Sequence, residues 1–498
     1  MSHIFPDIRI DAVKFLNISL TALGESMVVG WEEFVNTTSD VGQSQKVDQN
    51  FGARLLKCYF SLLGIPLSSM TESRTQFDAS SNARASILST DLSNHALLVI
   101  LSSLERFLGF ALQESTSNRL SNLSKEKDVE LNAYPSWLIL STLSDEAEQN
   151  SFLQTFSPSS SKSDQKTDPL CGGEFEAFFA DNQGQNGNFN ARESFYSVAQ
   201  SFDNFEEIGL LGNSLSDSHE SLSSPESSTG SQARQTIFCS LVPLLQTCFL
   251  DAVPSILDQR LTNNVMERDS GRNTSFTIIK LVISVSLQLW RGLHNADRIS
   301  YSNLSKLLNR IAPHFPFGSM ETSEAQEAWL DTNLSFCELH GLYSSVTTIK
   351  DSQRKSHVDL IYGYIAHLFK SEKTVLYGSR FVAILPTVWL LLAKLDDDRS
   401  RNLILGLLEH WHSIPLKDHA TRRLSTKFLG HLMILPTCSS YNGHFRILQD
   451  EICRSKIIQW LTVSLPKYLW ELNTKDPIES DEILELLRQV SVRRSKHL

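Results

Sequence analysis

The feature that most constrains this chain is a succession of apolar-patterned segments that begins near residue 236 and runs almost to the C-terminus. TIFCSLVPLLQTCFLDAV, FTIIKLVISVSLQLWRGL, YSNLSKLLNRIAPHF, AQEAWLDTNLSFCELHGLY, HVDLIYGYIAHLFK, RFVAILPTVWLLLAKL, RNLILGLLEHWHSI, ATRRLSTKFLGHLMIL, KIIQWLTVSLPKYLWEL and DEILELLRQVSV follow one another, many of them separated by short turns bearing Pro, Gly, Asp or Ser. Each has a helical length of roughly 12 to 20 residues, and no run of alternating apolar and polar residues competes with them, so the class is predicted to be all-α. Each helix is apolar on too much of its circumference for an isolated hairpin. Stacked helix pairs of a HEAT/armadillo-like α-solenoid cover such surfaces, because each repeat shields its neighbour. No fixed-period consensus is visible, which leaves an irregular helical bundle as the alternative.

The first part of the chain has the same character. From Asp7 onward Ile8, Ala12, Phe15, Ser19 and Leu23 share one helical face, with Arg9, Asp11 and Lys14 pointing elsewhere, and Pro6 and Asp7 supply a start. FGARLLKCYFSLLG is predicted to end at Gly64, with Pro66 just beyond. LSNHALLVILSSLERFLGFALQ is predicted to start near Asp91 and to lie between neighbours. Asn36 to Gln49 reads as a polar, mobile linker.

Between these regions the composition turns to Ser, Asn, Gln, Gly and acidic residues, most clearly in SPSSSKSDQKTD and NSLSDSHESLSSPESSTGSQ. Such tracts bury too little apolar area to offset ordering entropy, and a long disordered insert is predicted, interrupted by one helix over Tyr134 to Gln149. Its Phe-spotted run EFEAFFADNQGQNGNFNARESFYSVAQSF reads as linker or as a segment that folds on a partner. The predicted organisation is 1–113 N-terminal helices, 114–235 linker and 236–498 C-terminal helical repeats.

Lys+Arg 45 against Asp+Glu 56 gives a formal net charge of -11, a poor overall match for a phosphate backbone, so nucleic-acid contact would be local or indirect. The seven cysteines are scattered without a CxxC pair and read as small buried hydrophobes rather than a disulfide framework. The longest apolar stretch, Phe276 to Trp290, contains Lys280 and Gln288 and falls short of the roughly 20 residues that cross a bilayer; it is predicted to be a core helix, with no membrane partner.

Candidates for chemistry are few. His410, His412, His419 and His431 form the best metal candidate, but helical positions two apart point in opposite directions, so a structural or surface role is favoured. Asp396, Asp397 and Asp398 read as a helix cap, and Arg422-Arg423 and Arg493-Arg494-Ser495-Lys496 as small basic clusters. There is no Gly-x-Ser-x-Gly elbow, GK[ST] phosphate loop or HExxH. No catalytic, cofactor-binding or metal-binding residue is assigned, and no enzymatic activity is expected.

The opening HIFPDIRIDAVKFL resembles the best-known block of the Ipi-one / Tex-ten family of pre-rRNA-processing proteins. LLNRIAPHFPFG (Leu307 to Gly318), FCELHGLY, ILPTVWLLLAKL (Ile384 to Leu395) and LPKYLWEL (Leu465 to Leu472) are similar to its later helical blocks. The resemblance implies a non-enzymatic scaffold subunit of a Rix-one-like complex, acting in the nucleus (nucleolus or nucleoplasm) on large-subunit pre-ribosomes and in processing of internal transcribed spacer two. Implied partners are the other subunits, an AAA-type ATPase of pre-60S particles and the pre-ribosome itself. In the family a lysine-rich extension and earlier helices precede this block, so an N-terminally shortened form lacking that basic arm is expected. A generic HEAT-like adaptor in transport or signalling is the rival reading.

Overall fold

The structure, a computed structural model, describes residues 6–34, 50–65, 93–112, 226–257, 265–291, 293, 297–318, 323–345, 351–370, 376–415, 418–441, 443, 445–474 and 477–495. The linker expected at 36–49 and the helix expected at 134–149 lie outside them, as does most of the 114–235 insert. Among the described residues there is no β-strand, and the chain is all-α. The helices are α1 (Pro6–Val28), α2 (Phe51–Leu62), α3 (Asn94–Ala111), α4 (Glu226–Leu257), α5 (Val265–Trp290), α6 (Arg298–Ile311) and α7 (Ser323–Ser345). After them come α8 (Asp351–Lys370), α9 (Gly378–Leu392), α10 (Asp397–Ser413), α11 (His419–Ile434), α12 (Glu451–Gln459), α13 (Leu465–Asn473) and α14 (Pro477–Ser495).

Local chemistry sets many of the boundaries. Side chains of Ser93, Asp297, Asp396, Asp418 and Asp450 accept from backbone N–H groups three residues on, at 2.8 to 3.2 Å, and so start α3, α6, α10, α11 and α12. The α2 stop falls where Gly64 takes a φ of +69°, which lets Ile65 N–H return to Phe60 O at 2.8 Å. The α4 helix starts at Glu226 rather than after Gln235, so the last stretch of the segment read as linker is helical, with Ala233 fully buried. Within α4, Gly230–Ile256 is long and apolar enough to cross a bilayer by length and composition. Leu241, Leu245 and Phe249 are nevertheless fully buried, and α4 packs against α5, α6 and the 3-10 turn Trp31–Phe34, as a core helix does.

Packing sorts the helices into two rows. The odd-numbered helices α1, α3, α5, α7, α9 and α11 each pack on the next in that series, and α11 ends the row against α14. In the second row α2 reaches α4 through the Trp31–Phe34 turn, α4 packs on α6, α8 on α10, and α10 on α12. Between the rows, consecutive helices touch at α1–α2, α4–α5, α6–α7, α7–α8, α8–α9 and α9–α10. This is the contact order of a solenoid, in which each helix pair covers the apolar side of the next. One apolar cluster extends from Val13 to Leu486 without interruption. Because α3 packs directly on α5, the core passes across the long insert instead of ending at it.

Arginine–carboxylate pairs reinforce the rows, and each joins helices two apart in number. At the end of α5, Arg291 makes a bidentate pair with Glu338 of α7, both contacts 2.6 Å. From α9, Arg380 reaches Glu327 and Asp331 of α7 at 2.9 and 3.1 Å. Arg399 of α10 pairs with Asp359 of α8 and lies over the Tyr362 ring. Arg401 of α10 donates to Asp450, the cap of α12, at 2.8 Å, and this contact holds the Asp450 carboxyl below its ordinary range.

The first helix departs from expectation. Its buried stripe is Val13, Leu16, Leu20, Gly24 and Val28, while Ile8, Phe15 and Leu23 of the predicted apolar face are exposed. Two apolar stripes run along α1, and α3 and α2 cover the other one.

Candidate interaction surfaces

The histidines do not converge. His410 is buried, stacked on Phe381 with centroids 5.1 Å apart, and its Nε2–H donates to Leu376 O at 3.1 Å; burial lowers its pKa to about 4. His412 is on the exposed side of the same helix. His431 is buried in α11, where burial and Lys427 hold its pKa well below the usual value, and His419 opens that helix beside Tyr468. Among the described residues no group of three or more His, Cys, Asp or Glu side chains is placed to hold a metal ion. Asp396 caps α10, while Asp398 pairs with Arg401 at 2.8 Å. Cys248, Cys337, Cys438 and Cys453 are buried and unoxidised, and burial raises the Cys248 and Cys453 thiols to about 12.

Arg422, read from the sequence as part of a small basic cluster, is buried. Its guanidinium lies over Trp411 at 4.8 Å and Tyr468 at 5.6 Å and donates to Ile414 O, tying α10, α11 and α13 together. Burial pushes its pKa down. The Arg493–Lys496 cluster has no described side chains.

The LLNRIAPHFPFG block is also structural. It leaves α6 through the 3-10 turn Ala312–His314 and a cis Phe315–Pro316 bond and closes at Gly318, whose φ is +74°. Asn333 of α7 clamps this turn, accepting from Phe317 N–H at 2.9 Å and donating to Phe317 O at 3.1 Å. Phe315 and Phe317 then pack with Trp329, Phe336 and Tyr364.

Exposed apolar side chains stand on the outer sides of α1 and of α12–α13. On α1, Phe15 and Ile18 are 71% and 68% exposed, and Ile8 on the helix and Val29 just past its end are exposed as well. Farther along, α12 and α13 are joined by a π turn, Trp460–Ser464. The buried residues there are Cys453, Ile457, Trp460, Leu465, Tyr468 and Leu472. The five-residue step across the π turn keeps them on one side. Opposite them Val463 and Trp470 are 65% and 76% exposed, flanked by exposed Ile452, Ile458, Arg454, Lys456 and Lys467.

Residues 1–108, which comprise α1, α2 and most of α3, match the family model Ipi1_N, described as a Rix1 complex component involved in 60S ribosome maturation. This N-terminal unit is an Ipi1-family domain. No curated protein and no solved structure matches the chain. In the Ipi1-type domain Arg106 of α3 holds α1 by donating to Asn17 O at 3.2 Å and to Thr21 Oγ1 at 2.7 Å. Buried Tyr59 and Ser103 join α2 to α3 at 2.7 Å, and burial raises the Tyr59 pKa. The Ipi1-type domain is bonded onward through Ser284 of α5, which donates to Glu105 at 2.6 Å. The IRIDAVKFL part of the opening block lies in α1, with Val13 and Leu16 inward and Phe15 outward.

Proposed function

We propose that the chain is a non-enzymatic scaffold subunit of a Rix1-like complex that acts in 60S ribosome maturation and in processing of internal transcribed spacer two of the pre-rRNA. The observation that carries the reading is the Ipi1 match over residues 1–108. It falls on the first helices of a continuous stack in which side chains such as Arg106, Arg291 and Arg401 link helix to helix. On this reading the stack is of the HEAT/armadillo kind, and its outer faces hold the other subunits of the complex and an AAA-type ATPase of pre-60S particles. With a net charge of -11, contact with the pre-ribosomal RNA is local or made through partners. The site of action is the nucleus.

Conditional depletion tests this. Hybridisation to internal transcribed spacer two should show accumulation of spacer-containing precursors and a fall in mature 60S subunits. Unchanged precursor levels after complete depletion would overturn it and favour a general adaptor.

A further inference from the structure

Among the described residues the most exposed large apolar side chain is Trp470, at 76%, on the outer side of α13. Ile458 and Val463 share that side. The step from Ile458 to Val463 is five residues and falls across the π turn, and the step from Val463 to Trp470 is seven, two helical turns. The last helix, α14, packs on α11 and α13 yet leaves Val463 and Trp470 uncovered. Arg454, Lys456 and Lys467 are exposed around these side chains and make no ion pair among the described residues. Elsewhere in the stack Arg380, Arg399 and Arg401 are taken up by carboxylates of neighbouring elements. Nearby acids are fewer. Glu451 is exposed at the start of α12, and Glu471 is half-buried, where its charge bears on Arg422. On a chain of net charge -11 this is a local excess of unpaired cations beside uncovered apolar surface.

We propose that this face is the docking site of an acidic amphipathic helix from a partner protein, which lays its apolar side chains on Ile458, Val463 and Trp470 and its carboxylates beside Arg454, Lys456 and Lys467. Charge and hydrogen bonding decide among the occupants. A second copy using the same face would make an isologous contact and set these cations against their own equivalents. A lipid surface would take Trp470 and the cations, but it would also desolvate Ser455 and Gln459, exposed between Ile452 and Val463, without offering them hydrogen bonds. A protein helix flanked by carboxylates satisfies both. The contact repeats on the outside the helix-on-helix packing that holds the stack together. The inference stands apart from the ribosomal reading, whose test by depletion can succeed or fail without it.

The test uses the full chain and fluorescence anisotropy of a labelled helical peptide of about 18 residues, the length from Ile452 to Trp470. The probe is built of Leu, Glu, Gln and Ala, with Leu three and four residues apart on one face and Glu on both sides of it. Micromolar affinity is expected, a single helix lying at the small end of stable interfaces. The same peptide with Lys for Glu, and one with its Leu positions scrambled, should each bind about tenfold more weakly or worse. Raising the salt from about 50 mM to about 500 mM should weaken binding of the acidic probe several-fold. Trp470→Glu, Val463→Glu and Lys467→Glu should each lower affinity by about fivefold or more with unchanged circular dichroism, all three side chains being exposed. Leu250→Glu, exposed on α4, should bind as wild type does. No binding up to about 1 mM, equal binding of the acidic and basic probes, or binding that survives Trp470→Glu would each overturn the proposal. So would sedimentation with phosphatidylserine vesicles that Trp470→Glu abolishes, which would assign the face to lipid, or concentration-dependent self-association abolished by the same substitution, which would assign it to a second copy.

Discussion

Asn333 shows how much a single side chain can hold. Its amide satisfies both backbone groups of Phe317 in a turn buried among aromatic rings. Asn333→Ala leaves a buried N–H and C=O unpaired and should cost about 2 to 4 kcal/mol in denaturant unfolding. Gly318→Ala should destabilise by more than about 1 kcal/mol, since its φ is +74° and an added Cβ would lie 2.3 Å from Trp329 Cδ1. His410 makes the fold acid-sensitive in a defined window. Burial lowers its pKa from 6.5 to about 4, so the unfolded chain takes up the proton first as pH falls. The stability it preserves is complete above about pH 6.5 and is lost progressively toward pH 4, up to about 3 kcal/mol. His431 acts in the same direction. His410→Gln should give a shallower loss of melting temperature between pH 6.5 and pH 4 than wild type. At this scale the sequence was legible where local chemistry decides, as with the Asp396 cap and the Gly64 stop. It was not legible for Arg422, whose aromatic neighbours Trp411 and Tyr468 come from other helices.

At the scale of elements, the helices after residue 236 could be read from periodicity alone, because each is long and strongly apolar. Which face of a helix turns inward could not be read for α1. It carries one stripe through Val13, Leu16 and Leu20 and another through Ile8, Phe15 and Ile18, and only the position of α3 selects between them. The pairs joining helices two apart were equally hidden, since their partners are 40 to 53 residues apart in sequence. Their energetic weight follows burial. Glu338 is 2% exposed, so Arg291→Ala strands a buried carboxylate and should cost about 2 to 3 kcal/mol, the half-exposed arginine keeping the loss below that of a fully buried pair. Arg399→Ala breaks a pair that is partly exposed on both sides and should cost at most about 1 kcal/mol. Equilibrium urea unfolding of the two variants side by side measures the difference.

For the whole molecule, the core crosses from α3 to α5 without needing the sequence between α3 and α4. A chain in which residues 114–224 are replaced by a flexible Gly/Ser linker should keep its helical circular dichroism and unfold in one transition, because loop length adds little to the cost of closure. Two separated transitions would mean that the N-terminal Ipi1-type domain and the later helices fold apart. The all-α class and the continuity of the stack were legible in the order of apolar segments, whereas the two-row contact order required coordinates. The central claim is that this stack works by docking within a ribosome-assembly complex, and affinity purification of a tagged chain from cells, with mass spectrometry, tests it most directly. The account predicts recovery of Rix1-complex subunits together with 60S precursor proteins; recovery of transport or signalling assemblies with no ribosome-assembly component would contradict it.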